Sequence, residues 1–391
     1  MAKRAPKLRV ARLAKMGGPV GLVVAVAAGG AMALAYPGVG WWPLAIIAWM
    51  PLLAWIRAGK TTPVGAALLG LTMGTVLHAA VFSWIVQTME TMSGLPTVAA
   101  VAVMLIYAVA MAVHQALVAY AAALDLRLGL APRWWWLRVA GFMVASEVLV
   151  PFQFPWFLGN AFYQATWLHQ AADIIGIVGV SGLAIAVAAA VAQAVVAPAR
   201  RRGAATAALC VIVVWCGYGA WRVATIDATA SARSLRALIV QHNPTLTEKR
   251  SEHPAPRVPM FERARAMTRA ANREGIDVIL WSEGALPFFY VPDEVAAPGQ
   301  APIAGRANAL LRRITAEADA FAAELAVPFL FGSLRRVDAQ WRERTRNSAV
   351  LMRPGQPRWV YDKRILVPFG ERMPGRDLIP GLAEAIPGVS D

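Results

Sequence analysis

Residues 18–222 are built from seven long apolar stretches whose connections alternate in charge, and no feature constrains the fold more. The stretches run about 18–36, 40–56, 64–85, 96–123, 134–151, 172–198 and 204–222, each near the length that spans a bilayer core. The second holds Pro43 and Pro51 and is expected to be tilted or broken. Six basic residues between Lys3 and Lys15 precede the first stretch. The even-numbered connections carry Arg57 and Lys60, Arg127 and Arg133, and Arg200 to Arg202, whereas the odd-numbered ones hold no Lys or Arg. Basic connections stay on the cytoplasmic side. Seven spans that start inside therefore put everything after Trp221 outside the cytoplasm. The length of the first stretch and the six that follow read as an anchor rather than a cleaved leader.

Composition agrees with this division. The chain is 58% hydrophobic and only 16% charged, with a mean hydropathy of +0.50. The net charge of +15 raises the question of nucleic acid. Residues 1–230 hold 15 Lys and Arg against 5 Asp and Glu, and residues 231–391 hold 23 against 18. The excess sits mainly between apolar stretches, where membrane orientation accounts for it and phosphate binding does not. The organisation is thus a basic cytoplasmic amino terminus (1–17), a helical membrane domain (18–222) and an extracytoplasmic domain (231–391).

Several residues in the membrane half invite scrutiny. His78, His114 and Glu147 are ionisable groups within spans, where such groups mark function more often than elsewhere. Glu147 precedes an uncharged aromatic fifth connection, FQFPWFLGNAFYQATWLHQA, suited to lipid contact. Trp41, Trp42 and Trp134 to Trp136 sit at segment ends and read as interfacial anchors. Cys210 and Cys216, six apart in the seventh stretch, read as small apolar packing residues without metal-ligand spacing. The scattered histidines imply neither a metal nor a diffusible cofactor.

The second half alternates strands and helices: strand 235–241, helix 259–273, strand 277–281, helix 304–325, strand 327–334, and a hairpin of 346–352 with 358–361 around Pro354-Gly355. That order implies a layered α/β domain. The strand DVILW ends in Ser282-Glu283, and ligands gather at such carboxyl edges. Residues 287–302 read as a loop and candidate lid beside Glu283. Downstream, YDKRILVPFGERMP brings Lys363 and Glu371 into a turn-rich segment. Two carboxylates and an ammonium can move a proton and steady an oxyanion in acyl transfer, but a nucleophile is also required.

With WWPLAIIAWMPLL, FPWFLGN, ALIVQHNP, WSEGALPF, RNSAVL and above all YDKRILVPFGE in place, the chain resembles the apolipoprotein N-acyltransferases. In that family a membrane helix bundle carries an extracytoplasmic domain of the nitrilase (carbon–nitrogen hydrolase) superfamily. The resemblance implies a multi-pass α-helical membrane domain followed by an incomplete α/β nitrilase-like sandwich, located in a bacterial inner membrane with the second domain periplasmic. It implies Glu283 as general base, Lys363 as the oxyanion-stabilising ammonium and Glu371 as a supporting carboxylate. The implied donor is a membrane phospholipid and the acceptor a diacylglyceryl apolipoprotein. The family's nucleophile is a cysteine beyond LVPFGE; it is expected past Asp391, with the last strands and a closing transmembrane helix. Arg250 stands about where the family has a tryptophan. The alternatives are an inactive relative that binds lipid or partner proteins, and a transporter or receptor with an extracytoplasmic ligand domain. The spans lack the row of charges a transport pathway needs.

Overall fold

The computed structural model describes residues 17–152, 154–229, 234–245, 248, 257–271, 274–290, 306–336 and 345–367. The chain divides into two compact units, Met1–Ala230 and Ser231–Asp391.

Every one of the seven apolar stretches folds as helix in the first unit. The order is α1 (Gly18–Ala33), α2 (Leu44–Ile47), α3 (Trp49–Arg57), α4 (Pro63–Val81), α5 (Trp84–Ser93), α6 (Thr97–Met111), α7 (Val113–Arg127), α8 (Trp135–Leu149), α9 (Thr166–His169), α10 (Ala172–Val196) and α11 (Arg201–Thr229). Four helical segments are long and apolar enough to cross a membrane: Pro63–Val81, Thr97–Arg127, Ala172–Val196 and Pro198–Ile226. Gly18–Ala33 and Leu44–Arg57 are apolar but shorter. The second stretch is broken, as its prolines foretell, into α2 and α3 around Ala48.

Local chemistry sets these boundaries. Thr62 caps α4 by accepting the Gly65 amide at 3.1 Å, with Pro63 in the first turn where its missing N–H costs nothing. Small residues then let helices approach. A Cβ on Gly70 would collide with the Gln115 carbonyl oxygen, so α4 and α7 meet backbone to backbone, as small residues permit between membrane helices. Helix α10 is the most enclosed, with Val180, Ser181, Ala184, Ile185, Ala188 and Ala189 buried.

One expectation for the tryptophans fails. Trp41 and Trp134 are exposed, as anchors are, but Trp135 is fully buried and donates Nε1–H to the Ala122 carbonyl at 3.0 Å. Its neighbour on the next turn, Arg138, forks onto the buried Asp125 carboxylate. Together they lock α8 to α7, so Trp135 is a packing residue of the bundle. Cys216 is half-buried, whereas Cys210 is exposed rather than packed.

The second unit centres on one mixed sheet of strands β1 (Ala237–Val240), β2 (Val278–Trp281), β3 (Leu286–Tyr290), β4 (Phe329–Arg336), β5 (Thr345–Met352) and β6 (Trp359–Asp362). The order is β1-β2-β4-β5-β6, with β3 also pairing β4. Strands β1, β2 and β4 run parallel, and β5 and β6 continue antiparallel. Residues 287–290 were expected in a loop; they form β3 instead, parallel to β4 with a bulge between Leu286 and Phe289. The aromatic, β-compatible run LPFFY is long enough to pair, and turn residues begin only afterwards. Residues 291–302 lie outside the described residues.

Helices α12 (Val258–Ala270) and α13 (Arg306–Leu325) cover one face of this sheet. Phe261, Ala264, Ile314, Ala318 and Phe321 pack on Val240, Ile279, Trp281, Phe329, Phe331 and Val350. Each large side chain so buried contributes about 1.5–3 kcal/mol. The alternate positions, Ile239, Leu334, Trp359 and Tyr361, point to the other face and are exposed, as the two-residue period of a strand requires.

Candidate active site

The site is assembled from three strand ends. β2 closes at Trp281, which is buried and tethered through Nε1–H to Thr268 Oγ1 at 3.0 Å. The chain then turns sharply through Ser282, Glu283 and Gly284. Ala285 donates its amide to the Ser282 carbonyl at 3.1 Å, and Gly284 takes φ +63°, a conformation glycine adopts without strain. This turn rests on β4 at Gly332. A Cβ there would stand 2.6 Å from Glu283 Cα and 2.8 Å from the Gly284 nitrogen. The glycine lets the Glu283 backbone sit directly on the sheet.

Asn347 and Lys363 reach the same carboxylate from β5 and the end of β6. Ser348 pairs with Asp362 in the register, so Asn347 and Lys363 fall opposite each other on one face. The Lys363 amide donates to the Asn347 carbonyl at 2.8 Å and continues the ladder by one residue. Glu283 Oε1 accepts from Asn347 Nδ2 at 2.5 Å and from Lys363 Nζ at 3.1 Å. The Glu283 side chain is 64% exposed and that of Lys363 31%, so the carboxylate is open to a reactant while held from one side.

Asp362 could have been a plain surface partner for Lys363. It turns instead to the opposite face, where it accepts from Ser348 Oγ at 2.6 Å and from Arg335 at 2.8 and 3.0 Å, with Arg346 at 3.4 Å. Partial burial pushes its carboxyl up, but the Ser348 hydroxyl and the two guanidinium groups outweigh that and hold it below the usual carboxylate range. The Asp362 network anchors β6 to β4 and β5 immediately before Lys363.

Of the three residues expected to act, the structure therefore unites Glu283 and Lys363. Glu371 lies outside the described residues, as does Arg250. Asn347 is the residue that sequence reasoning missed. It stands within RNSAVL, a segment noted only for its resemblance, and its opposition to Lys363 in the hairpin was the available signal. Near the amino end of the unit, Glu248 is fixed by Arg263 at 2.5 Å and by the Thr245 amide at 2.7 Å. Arg263 first, then Thr245, depress its carboxyl to about 2. Among the described residues, no group of three or more His, Cys, Asp or Glu side chains is disposed to hold a metal ion.

His78 and Glu147 of the membrane unit bind backbone, and His114 packs on an aromatic ring. His78 Nδ1 is 2.7 Å from the Gly74 carbonyl. The His114 ring stacks on Phe152 at 3.7 Å. Glu147 is buried and accepts the Leu158 amide at 2.8 Å, beside Ser181 Oγ, which accepts the Gly159 amide at 2.8 Å. These bonds hold the FPWFLGN segment against the helices.

Comparison with known proteins bears on the whole chain. Residues 28–190 match the family model described as the apolipoprotein N-acyltransferase N-terminal domain. A protein of Geobacter metallireducens named apolipoprotein N-acyltransferase is 28% identical across 94% of this chain and 68% of its own length. One of Brucella suis with the same name is 30% identical across 59% of this chain and 40% of its own. Apolipoprotein N-acyltransferase 2 of Treponema pallidum is 25% identical, over 66% and 47% respectively. The chain thus spans less than half the length of two of these three similar proteins. The chain is similar to proteins named apolipoprotein N-acyltransferase, and its residues 28–190 match the model of their amino-terminal domain.

Proposed function

We propose that the protein transfers an acyl chain from a membrane phospholipid to the α-amine of a diacylglyceryl-cysteine on lipoproteins. The observation that carries this reading is the convergence of Asn347 and Lys363 on one oxygen of Glu283 at a strand-end edge. Such an arrangement combines a proton acceptor with a positive charge about 3 Å away, as acyl transfer needs.

In this reading Glu283 takes the proton of a thiol as the sulfur attacks the ester carbonyl of the donor. The carbonyl oxygen becomes an oxyanion, stabilised by the Lys363 ammonium. The intermediate collapses to a thioester, and the lysophospholipid leaves with the proton that Glu283 returns to its oxygen. The acceptor amine then attacks the thioester, Glu283 takes a proton from the nitrogen, an amide forms and the thiol is regenerated. The thiol is that of a cysteine which the resemblance puts beyond LVPFGE in sequence. Asn347 orients the Glu283 carboxylate, and Glu371 supports the site from the same motif.

Both lipid substrates are membrane-anchored, which matches a chain whose first unit is a bundle of apolar helices. The charge pattern of the connections supports seven spans in the bacterial inner membrane, an amino terminus inside and residues 231–391 on the periplasmic side. The test is N-acylation by the full-length gene product carrying Glu283→Gln, read by mass spectrometry of lipoprotein amino-terminal peptides. Loss of the N-linked acyl chain is expected; acylation at the unaltered level overturns the reading.

A further inference from the structure

The basic connections of the membrane unit meet at one end of its helices. Helix α3 packs on α7 and α10. The end of α3 at Arg57, the connection from α7 to α8, and the 3-10 turn Pro198–Arg200 between α10 and α11 therefore come together. Helix starts and helix ends carry opposite partial charges. Three of each occur here, so the side chains set the field. Asp125 is the one acidic residue at this end among the described residues, whereas Glu90, Glu147, Asp173 and Asp227 lie toward the opposite end.

Asp125 is already engaged. Its two oxygens accept from Nε and a terminal nitrogen of Arg138, the latter at 2.8 Å, and 1% of its side chain is exposed. Arg57 has no such acid. Its guanidinium carbon stands 5.7 Å from the centre of the Trp135 ring, which is itself fixed by the bond to the Ala122 carbonyl. A guanidinium held against an aromatic ring keeps its N–H edge for acceptors in its own plane. Among the described residues Arg57 makes no ion pair, and its Nε–H is buried without a hydrogen bond.

Arg200 brings a second guanidinium to the first. Burial chiefly, and then the charge of Arg200, lower the Arg57 pKa, which Asp125 raises. Arg200 is exposed and has no ion pair among the described residues. Residues 1–16, outside the described residues, contain no Asp or Glu, so they bring no carboxylate to the pair. Two like charges are thus held near each other, which repels, and one of them has a buried, unpaired N–H. The complement of this arrangement is an anion. Two guanidinium forks offer more donors than the two oxygens of a carboxylate accept, and they suit the several oxygens of a phosphate.

We infer that Arg57 and Arg200 form a binding site for a single phosphate group. In the orientation proposed above this end faces the cytoplasm. The phosphate there belongs either to a soluble anion or to a lipid headgroup of that leaflet. The inference rests on the membrane unit alone and is independent of the acyl-transfer reading.

The experiment is isothermal titration of the full-length protein in nonionic detergent with inorganic phosphate, at constant ionic strength so that screening does not change. Saturable binding of a single phosphate per chain is expected. Arg57→Gln and Arg200→Gln should each weaken it at least about tenfold, the scale of losing a hydrogen bond to a charged group. Arg200 is exposed, so a loss in its variant reflects the site rather than the fold. Arg133 lies over the exposed Trp134 ring at the same end; Arg133→Gln removes an equal charge and should change binding by less than about twofold. Repeating the titration in phosphatidylcholine bilayers with and without phosphatidic acid distinguishes the sources. Phosphate binding that phosphatidic acid abolishes assigns the site to a lipid headgroup, and binding that persists assigns it to a soluble phosphate. No saturable binding in detergent or in phosphatidylcholine alone overturns the proposal. So does an equal loss in Arg57→Gln and Arg133→Gln, which would make this end a diffuse positive field.

Discussion

Lys363 Nζ lies 3.1 Å from Glu283 Oε1, although eighty residues of chain separate them. The pair is too exposed to serve mainly as a brace. Surface ion pairs contribute about 0–1 kcal/mol, and the Glu283 side chain is 64% accessible. Stability and chemistry should therefore separate at this position. Lys363→Met is expected to shift unfolding stability by less than about 1 kcal/mol and to reduce N-acylation about 10²-fold or more, the scale on which loss of an oxyanion partner is felt. Thermal unfolding and lipoprotein peptide mass spectrometry on the same preparation check both halves.

Asn347 gives a second separation. Its amide donates to the oxygen of Glu283 that Lys363 also contacts. Asn347→Ala removes one of the two groups that fix the carboxylate among the described residues, and a loss of about tenfold in transfer rate is expected, near 1.4 kcal/mol. Asn347→Asp should be worse, because it replaces a donor to the Glu283 carboxylate with a second carboxylate that repels it at hydrogen-bonding range. Transfer rates of the two variants, measured on the same lipoprotein peptide, check the order: asparagine, then alanine, then aspartate.

Gly332 tests the seat of the site. A Cβ at this position would stand 2.6 Å from Glu283 Cα, closer than non-bonded carbon atoms approach, and the neighbour it meets is backbone. Gly332→Ala must push the 282–284 turn off β4. Misplacing a catalytic group by about 1 Å can cost about 10² in rate, so transfer should drop by that order while lipid-bilayer insertion of the protein is unaffected. Activity near the unaltered level would show that the turn does not need this seat.

Asp362 supplies a pH dependence of known sign. Its folded-state carboxyl is held below the ordinary value of about 3.9. Its contribution is therefore fully present above that value and is lost as pH falls through the folded one. Asp362→Asn should cost about 1.5–3 kcal/mol at pH 7, the scale for hydrogen bonds to a charged group. The difference from the unaltered protein should shrink below pH 4. Denaturant unfolding at pH 7, 5 and 3 measures it; a pH-independent difference would mean that the Arg335 and Ser348 contacts do not depend on the charge.

Why some of this was legible in the sequence and some was not has a physical cause. Long apolar runs favour helix where backbone must bond to itself; each of the seven stretches is helical, four helical segments are long and apolar enough to cross a membrane, and Pro43 and Pro51 announced the broken second one. Strands β1, β2, β4, β5 and β6 followed from short apolar runs bounded by polar and turn residues. Strand β3 did not, because Pro287 and the turn residues after it resemble a loop until β4 is present to pair with. Trp135 looked like its exposed neighbour Trp134 because a helix turns about 100° per residue, and only packing decides which one faces inward. Glu283 and Lys363 were found by motif. Asn347 was hidden because its role comes from cross-strand register, which one-dimensional spacing shows only after the hairpin has been assigned.

Glu147 brings the membrane unit under the same kind of test. Its carboxylate is buried, and Oε1 accepts the Leu158 amide at 2.8 Å, while Gly159 is held one residue later by Ser181. Leu158 opens the short 3-10 turn Leu158–Phe162, whose first amides have no partner within the turn itself. Removing the acceptor leaves a buried N–H unsatisfied, a cost of about 1–3 kcal/mol. Glu147→Ala should therefore lower the unfolding temperature of the membrane unit and make the 152–165 connection cleavable by added protease. Glu147→Gln retains a carbonyl oxygen that can occupy the position of Oε1, and it should recover most of the loss. If glutamine and alanine are equally damaging, the charge and not the hydrogen bond to Leu158 is what the bundle requires. The FPWFLGN segment would then be held by Ser181 and its own aromatic packing, with Trp156 stacked on Tyr36 at 5.5 Å as its main anchor.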